Sequence, residues 1–289
     1  IYSLFIMAAL TSCGKKEEQA PVIEKHDIAV ENGRFTPEIL HQLGKVSDIQ
    51  ISPDGSKILY GVTYTSIEEN KGVKNLFVMD IDGSDNRQLT HFEKSASNAR
   101  WIDGGKKIAF LQDGQMWVMP AEGGKAVKVS DVESGINEFK VGPQQCNVLY
   151  SYDFKVAQKA ADIYPDVPKA TGRTINGLMY RHWDHFVETI QHTCLANFSD
   201  GTVGASFDIL ADEPFELPTD PFGGLEQLAF DPDEANILYS CRKLTGKDYA
   251  YSTDTDIYLY NIHDGFDENL TEDMPGYDTD PAFSPDGKY

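Results

Sequence analysis

The densest run of chemically capable side chains is Leu178-Met-Tyr-Arg-His-Trp-Asp-His-Phe186, with His192 six residues further on. Imidazole and carboxylate are good zinc ligands, so His182, Asp184, His185 and His192 qualify by type. Their spacing argues against a metal: on a strand, His182 and His185 point to opposite faces, and no metalloprotease helix motif is present. Two other readings stand beside it. Tyr180, His182, Trp183 and Asp184 could face a substrate, or Tyr180, Trp183 and Phe186 could form a packed aromatic cluster, the commoner role of such groups. A serine nucleophile held on a strained turn needs Gly-x-Ser-x-Gly. The nearest string, Gly204-Ala-Ser-Phe-Asp208, lacks the second glycine and any surrounding α/β alternation, which makes Ser206 a strand residue. The Asp-rich turns lack the Asp-x-Asp-x-Asp-Gly spacing of a calcium loop, and Glu272, Asp273, Asp278 and Asp280 read as solvated loop charges. Apart from Cys13 there are three cysteines, Cys146, Cys194 and Cys241, without metal or redox spacing. An odd number leaves at least one free thiol, and buried free thiols are expected. No metal, no cofactor and no catalytic residue is expected in this chain.

The elements that carry these residues follow from an internal repeat, which should be sought first. Ile51-Ser-Pro-Asp-Gly-Ser-Lys-Ile58 recurs as Phe283-Ser-Pro-Asp-Gly-Lys-Tyr289. Weaker copies are Trp101-Ile-Asp-Gly-Gly-Lys-Lys-Ile108, Val141-Gly-Pro-Gln-Gln-Cys-Asn-Val148 and Phe230-Asp-Pro-Asp-Glu-Ala-Asn-Ile237. Each reads as a hairpin turn, with Pro presetting φ, Asp capping and Gly taking positive φ. After three of the copies comes an apolar strand (Asn75–Gly83, Gln115–Gly124, Asp256–Gly265) and a short closing one (Gln88-Leu-Thr90, Lys128-Val-Ser130, Asn269-Leu-Thr271). Four strands per unit is the layout of a β-propeller blade. The turns lie 51, 39, 89 and 53 residues apart, so the units match propeller repeats except for one long insertion, about residues 152–186. The fold predicted is therefore all-β: four blades and the start of a fifth over residues 35–289, interrupted by a partly helical insertion. Within it, Tyr152–Asp162 carries a helical pattern ended by Pro165 and Pro168.

Composition narrows the function classes. With 25 Lys and Arg against 46 Asp and Glu, the net charge is −21, which argues against electrostatic binding of nucleic acid. Forty per cent hydrophobic residues suffice for a large core, yet no apolar run reaches the roughly 18–20 residues of a membrane span. The start of the chain, Ile1 to Leu10, is about as long as the apolar core of a secretory signal. With Leu10-Thr-Ser-Cys13 it resembles a bacterial lipobox, which implies a signal over residues 1–13, a lipid on Cys13 and a tether over residues 14–34. Lys15-Lys-Glu-Glu18 also resembles the surface-export signal of some Bacteroidota lipoproteins. Both ends look cut, and the sequence reads as a fragment of a longer product.

The repeat resembles the propeller shared by TolB-type periplasmic proteins and the prolyl oligopeptidase family, from about Ser47 to Tyr289. Tyr180-Arg-His-Trp-Asp-His-Phe186 is similar to the Tyr-x-His-Trp-Asp-x-Trp segment of bacterial dipeptidyl and acylaminoacyl peptidases in that family, departing from it at Phe186. The resemblance implies a serine peptidase that takes dipeptides or short N-terminal units from oligopeptides. Its Ser-Asp-His triad would lie in an α/β-hydrolase domain beyond Tyr289, and the propeller would gate access. It also implies a carboxylate for the substrate's ammonium, for which Asp162, Asp166 and Asp184 are candidates. The lipobox and the family together imply an exported lipoprotein of a Gram-negative outer membrane, and they are compatible with a homo-oligomer. The alternative is a non-catalytic TolB-like propeller lipoprotein that serves as an interaction scaffold in the envelope.

Overall fold

A computed structural model describes residues 23–289 apart from Met179, Asp200 and Asp212; Cys13 and its surroundings lie outside the described residues. After a short helix α1 (Pro37–Gln42), begun by Pro37 and capped by Thr36 Oγ1 accepting from Ile39 N, the chain forms four-stranded antiparallel sheets in succession. The first comprises β1 (Lys45–Ile51), β2 (Lys57–Ser66), β3 (Lys71–Asp80) and β4 (Arg87–Gln88). The second comprises β5 (Ser97–Ile102), β6 (Lys107–Gln112), β7 (Gln115–Pro120) and β8 (Val127–Lys128). The third opens with β9 (Glu138–Val141) and β10 (Asn147–Lys155). The insertion then supplies α2 (Ala160–Ile163) and a small hairpin, β11 (Arg181–His182) and β12 (His185–Phe186). Strands β13 (Thr189–Ser199) and β14 (Thr202–Asp208) complete that third sheet. The fourth comprises β15 (Leu228–Phe230), β16 (Asn236–Cys241), β17 (Asp256–Asn261) and β18 (Asp267–Asn269), with helix α3 (Gly246–Tyr251) between β16 and β17. Every blade runs first strand to last in neighbouring order, the meander expected of propeller units.

The repeated turn closes alike in the first, third and fourth blades, in a strong copy of the motif and in two weaker ones. Ser52 N donates to Lys57 O at 2.9 Å, Gly142 N to Asn147 O at 2.9 Å and Asp231 N to Asn236 O at 3.0 Å. Ser284 N donates to Tyr289 O at 2.7 Å, so the fifth copy forms its turn although no strand is assigned to it. In both Ser-Pro-Asp-Gly copies the serine hydroxyl donates to the Asp, at 2.6 Å for Ser52–Asp54 and 2.7 Å for Ser284–Asp286. Gly55 and Gly287 take φ of 74° and 68°, where a side chain would be strained.

Blades pack face to face through the two-residue alternation of their strands. Along β6, Ile108 and Phe110 pack against the first blade, while Ala109 and Leu111 pack against the third. Along β10, Val148 and Tyr150 face the second blade and Leu149 faces the fourth. The three resulting clusters of buried residues make one stacked core.

The helix predicted over Tyr152–Asp162 is largely absent. Strand β10 continues to Lys155, paired with β13 without a break from Asn147↔Asn197 to Lys155↔Thr189, and only Ala160–Ile163 is helical. The ladder to a partner some forty residues away outweighs the local helix propensity of Ala and Lys.

Candidate functional site

The insertion and the segment joining the third and fourth blades fold against each other beside the top of β10 and β13. The diagnostic run is a tight hairpin rather than one strand. It turns at Trp183, whose φ is 48°, so His182 and His185 lie opposite each other on paired strands with ring centroids 6.2 Å apart. Arg173 stacks 4.2 Å from the Phe186 ring and bonds Glu188, which also pairs with Lys159, tying the hairpin to α2. Trp183 is 69% exposed and Phe222, on the joining segment, 76%; the two rings meet edge to face at 5.3 Å.

Two cavities flank the hairpin and share Val156, Leu178 and Val187 in their walls. The larger, about 550 Å³, lies toward α2 and is lined by Tyr180, Phe186, Arg173 and Glu188 among others. The smaller, about 200 Å³, is walled by Ile190, Pro214, Leu244 and Tyr249 as well as the shared residues, with His182, Glu216 and Thr245 among its polar groups. That is room for a single residue rather than a drug-sized ligand, which needs roughly 300–1,000 Å³.

Around the smaller cavity the structure gathers three residues from distant positions. One donor atom each of His182, Glu216 and Asp220 lies within 4.8 Å of the other two. Glu216 is buried and accepts from the Tyr249 hydroxyl, while Gln191 Nε2 donates to Asp220 at 3.3 Å. Burial raises the Glu216 carboxyl above the usual range, opposed by the Tyr249 bond and reinforced by the Asp220 charge. Arg242, whose charge also acts on Glu216, stacks 3.5 Å over the Tyr249 ring instead of pairing with the acid. Among the described residues no Lys or Arg nitrogen comes within 4.0 Å of either carboxylate. A buried carboxylate so placed favours a cationic ligand, whether an organic ammonium or a divalent ion held by these three donors.

The residues singled out from sequence fall in different places. Tyr180 lines the larger cavity, His182 the smaller, Trp183 stands exposed at the hairpin tip, and Asp184 points to solvent beside His185 Nδ1 at 3.2 Å. His192 is not with them: it is buried in β13, its Nδ1 bonded to Asp208 at 2.5 Å and its ring stacked on Phe154 at 4.2 Å. Asp162 is occupied by Lys155 Nζ at 2.7 Å and by Lys159 N at 2.8 Å, and Asp166 is exposed. Sequence reasoning missed Glu216 and Asp220, whose surroundings (Glu213-Pro-Phe-Glu-Leu-Pro-Thr-Asp-Pro221) carry no periodicity. The one signal there was Glu216 set between apolar neighbours, Phe215 and Leu217, in a proline-rich connection. Ser206 is a strand residue bonded to Tyr150 Oη at 2.8 Å. Cys194 and Cys241 are buried thiols as expected, but Cys146 is exposed, because it sits on the β9–β10 turn.

Over 81% of this chain the structure superposes on 33% of acylaminoacyl peptidase from Pyrococcus horikoshii, with a TM-score of 0.55 and 18% identity, a likeness of fold. By sequence the chain is homologous to dipeptidyl-peptidase 5 of Porphyromonas gingivalis, with 43% identity over 258 residues, 88% of this chain and 38% of that one. Dipeptidyl-peptidase 5 of Porphyromonas endodontalis is 38% identical over 263 residues, again covering 38% of its length. The chain thus spans about two fifths of the length of these curated relatives. No protein-family profile matches it.

Proposed function

We propose that this chain is the propeller part of an exported serine peptidase that removes dipeptides or short N-terminal units from oligopeptides, and that it gates access to the catalytic groups. What carries the reading is a buried carboxylate, Glu216, with the half-buried Asp220 beside it and no Lys or Arg paired to either, at an apolar pocket on a chain 43% identical to a dipeptidyl peptidase. Glu216 and Asp220 would hold the free α-ammonium of the peptide, a charge-assisted contact in a poorly hydrated place. Val156, Ile190 and Leu244 would take the first side chain. His182 would stand beside the acids in the pocket wall, while Tyr180, Trp183 and Asp184 would face the rest of the peptide. The nucleophile, base and oxyanion donors of acyl transfer would come from residues outside this sequence. Cys13 would carry a lipid anchor at the outer membrane of a Gram-negative bacterium.

The test is hydrolysis of a chromogenic dipeptidyl amide by the intact gene product, beside its N-acetylated form. The free amine is expected to turn over and the acetylated one not, while residues 14–289 alone turn over neither. Glu216→Gln is expected to raise KM about tenfold to a hundredfold with a smaller change in kcat, since hydrogen bonds to charged groups contribute about 1.5–3 kcal/mol. Hydrolysis by residues 14–289, or none by the intact protein, would remove this reading.

A further inference from the structure

The first strands of the blades converge on a second polar cavity, away from the insertion. It measures about 450 Å³ and is lined by Asp48 of β1, Asn98 and Arg100 of β5, Glu138 and Lys140 of β9, and Glu226 ahead of β15. A repeated device shapes its wall. Strands β1 and β5 each shift register in the same place, between Ser47 and Gln50 and between Ser97 and Arg100. Asp48 and Asn98 accordingly take φ of 54° and 51°, a bulge that re-aims a side chain at a sheet edge.

The charges around this cavity are unevenly matched. Each carboxylate already has a donor: Lys74 Nζ reaches Asp48 at 2.8 Å, Leu225 N reaches Glu138 at 3.0 Å and Gly224 N reaches Glu226 at 2.9 Å. Two of the cations touch no acid, although the charges of Asp48 and Glu138 act on Arg100 and those of Glu226 and Glu138 on Lys140. Lys140 donates to two carbonyls, Leu225 O at 2.7 Å and Leu228 O. Arg100 uses one of its five N–H groups, Nη1 to Ala99 O at 2.8 Å. Among the described residues no carboxylate oxygen lies within 4.0 Å of either. Burial holds both below their usual pKa, and the Arg100 charge adds to the effect on Lys140. Arg100 and Lys140 are half-buried and neither touches an acid, so the donors left free on Arg100 offer an anion entering the cavity a charge-assisted contact.

We propose that this cavity binds a peptide carboxylate, with the Arg100 guanidinium as a planar fork and Lys140 as the second charge. A planar fork suits a planar acceptor with two oxygens, and the idle donors of Arg100 can meet both. The peptide nature of the ligand rests on the peptidase reading; the charge preference does not. The carboxylate comes either from a peptide's C-terminus or from an Asp or Glu side chain.

The experiment is calorimetric titration of the intact protein with three N-acetylated probes, which cannot occupy an ammonium site. They are acetyl-Ala-Ala-Ala with a free carboxylate, its C-terminal amide, and acetyl-Ala-Asp-Ala amide. At least one acid is expected to bind about tenfold or more tightly than the uncharged amide, and which acid binds identifies the source. Arg100→Met is expected to remove that preference and Arg100→Lys to keep part of it. Equal binding of acids and amide, a comparison that needs no variant, would overturn the proposal, as would an acid preference that survives in folded Arg100→Met. A protein that prefers the acids but hydrolyses no dipeptidyl amide would overturn the peptidase reading alone. One that hydrolyses the amide but shows no acid preference would overturn this inference alone.

Discussion

The three described thiols show how far environment, rather than residue type, sets reactivity. Cys194 is buried between the second and third blades, and burial pushes its pKa up to about 11. Cys241, buried between the third and fourth blades, is pushed up to about 12, mainly by desolvation. The thiolate is the nucleophile, so both are inert at neutral pH, whereas Cys146 is exposed on its turn. In native residues 14–289 one thiol is expected to react quickly with a disulfide reagent and three after unfolding, with Cys146→Ser abolishing the fast phase. Two fast thiols would contradict the packing of these blades. The same shifts act on stability. A thiol whose folded pKa is raised stabilises the fold fully below about pH 9, and that contribution is lost as pH rises through 11 to 12. The buried His192 and its partner Asp208 illustrate why the site was only half legible. The hairpin residues were visible as a dense local run, but that run did not reveal that His192 would turn to Asp208 in a strand ladder and His182 to Glu216 and Asp220.

At the scale of the element, a hydroxyl recurs just past the closing strand in three of the four blades, the first, second and fourth. Thr90 Oγ1 accepts from Leu76 N at 2.9 Å, Ser130 Oγ from Met116 N at 2.8 Å and Thr271 Oγ1 from Ile257 N at 3.0 Å. The residue before each donates its own N–H to the same third-strand position: Leu89 to Leu76, Val129 to Met116 and Leu270 to Ile257, all at 2.8 Å. Thr90 and Ser130 also donate to the side chains of Asn75 and Gln115, at 2.8 and 2.7 Å, so a short strand is locked to its neighbour. Thr90→Val keeps the shape and removes both bonds, leaving a buried N–H and an amide oxygen short of a partner. A loss of about 1–3 kcal/mol in unfolding free energy is expected from denaturant titration, and Thr90→Ser should recover most of it. A loss below about 0.5 kcal/mol would mean that water replaces the hydroxyl. Such devices made the blades readable, because turn, apolar strand and hydroxyl recur within some fifty residues. The insertion was less so: Tyr152–Lys155 became strand only because Thr189–His192 lies alongside, and nothing local to Tyr152 encodes that partner.

On the scale of the whole molecule, charge and anchoring must be considered together. A body of net charge −21 is repelled by anionic headgroups, so its own surface gives it no electrostatic reason to stay on a membrane. No helix among the described residues is long and apolar enough to cross one. If the protein is held there by acyl chains on Cys13, each buried CH₂ contributes about 0.8 kcal/mol, and two or more chains hold stably where one is marginal. The two origins of membrane association respond oppositely to salt. At about 1 M salt the screening length falls to about 3 Å, which loosens bridging by charge and leaves buried chains untouched. Membranes from cells making the intact protein are therefore expected to retain it through such a wash and to release it into detergent. Cys13→Ala should appear in the soluble fraction with its blades folded. Release by salt from the unaltered protein, or retention of Cys13→Ala, would place the attachment elsewhere and remove the lipid from this reading.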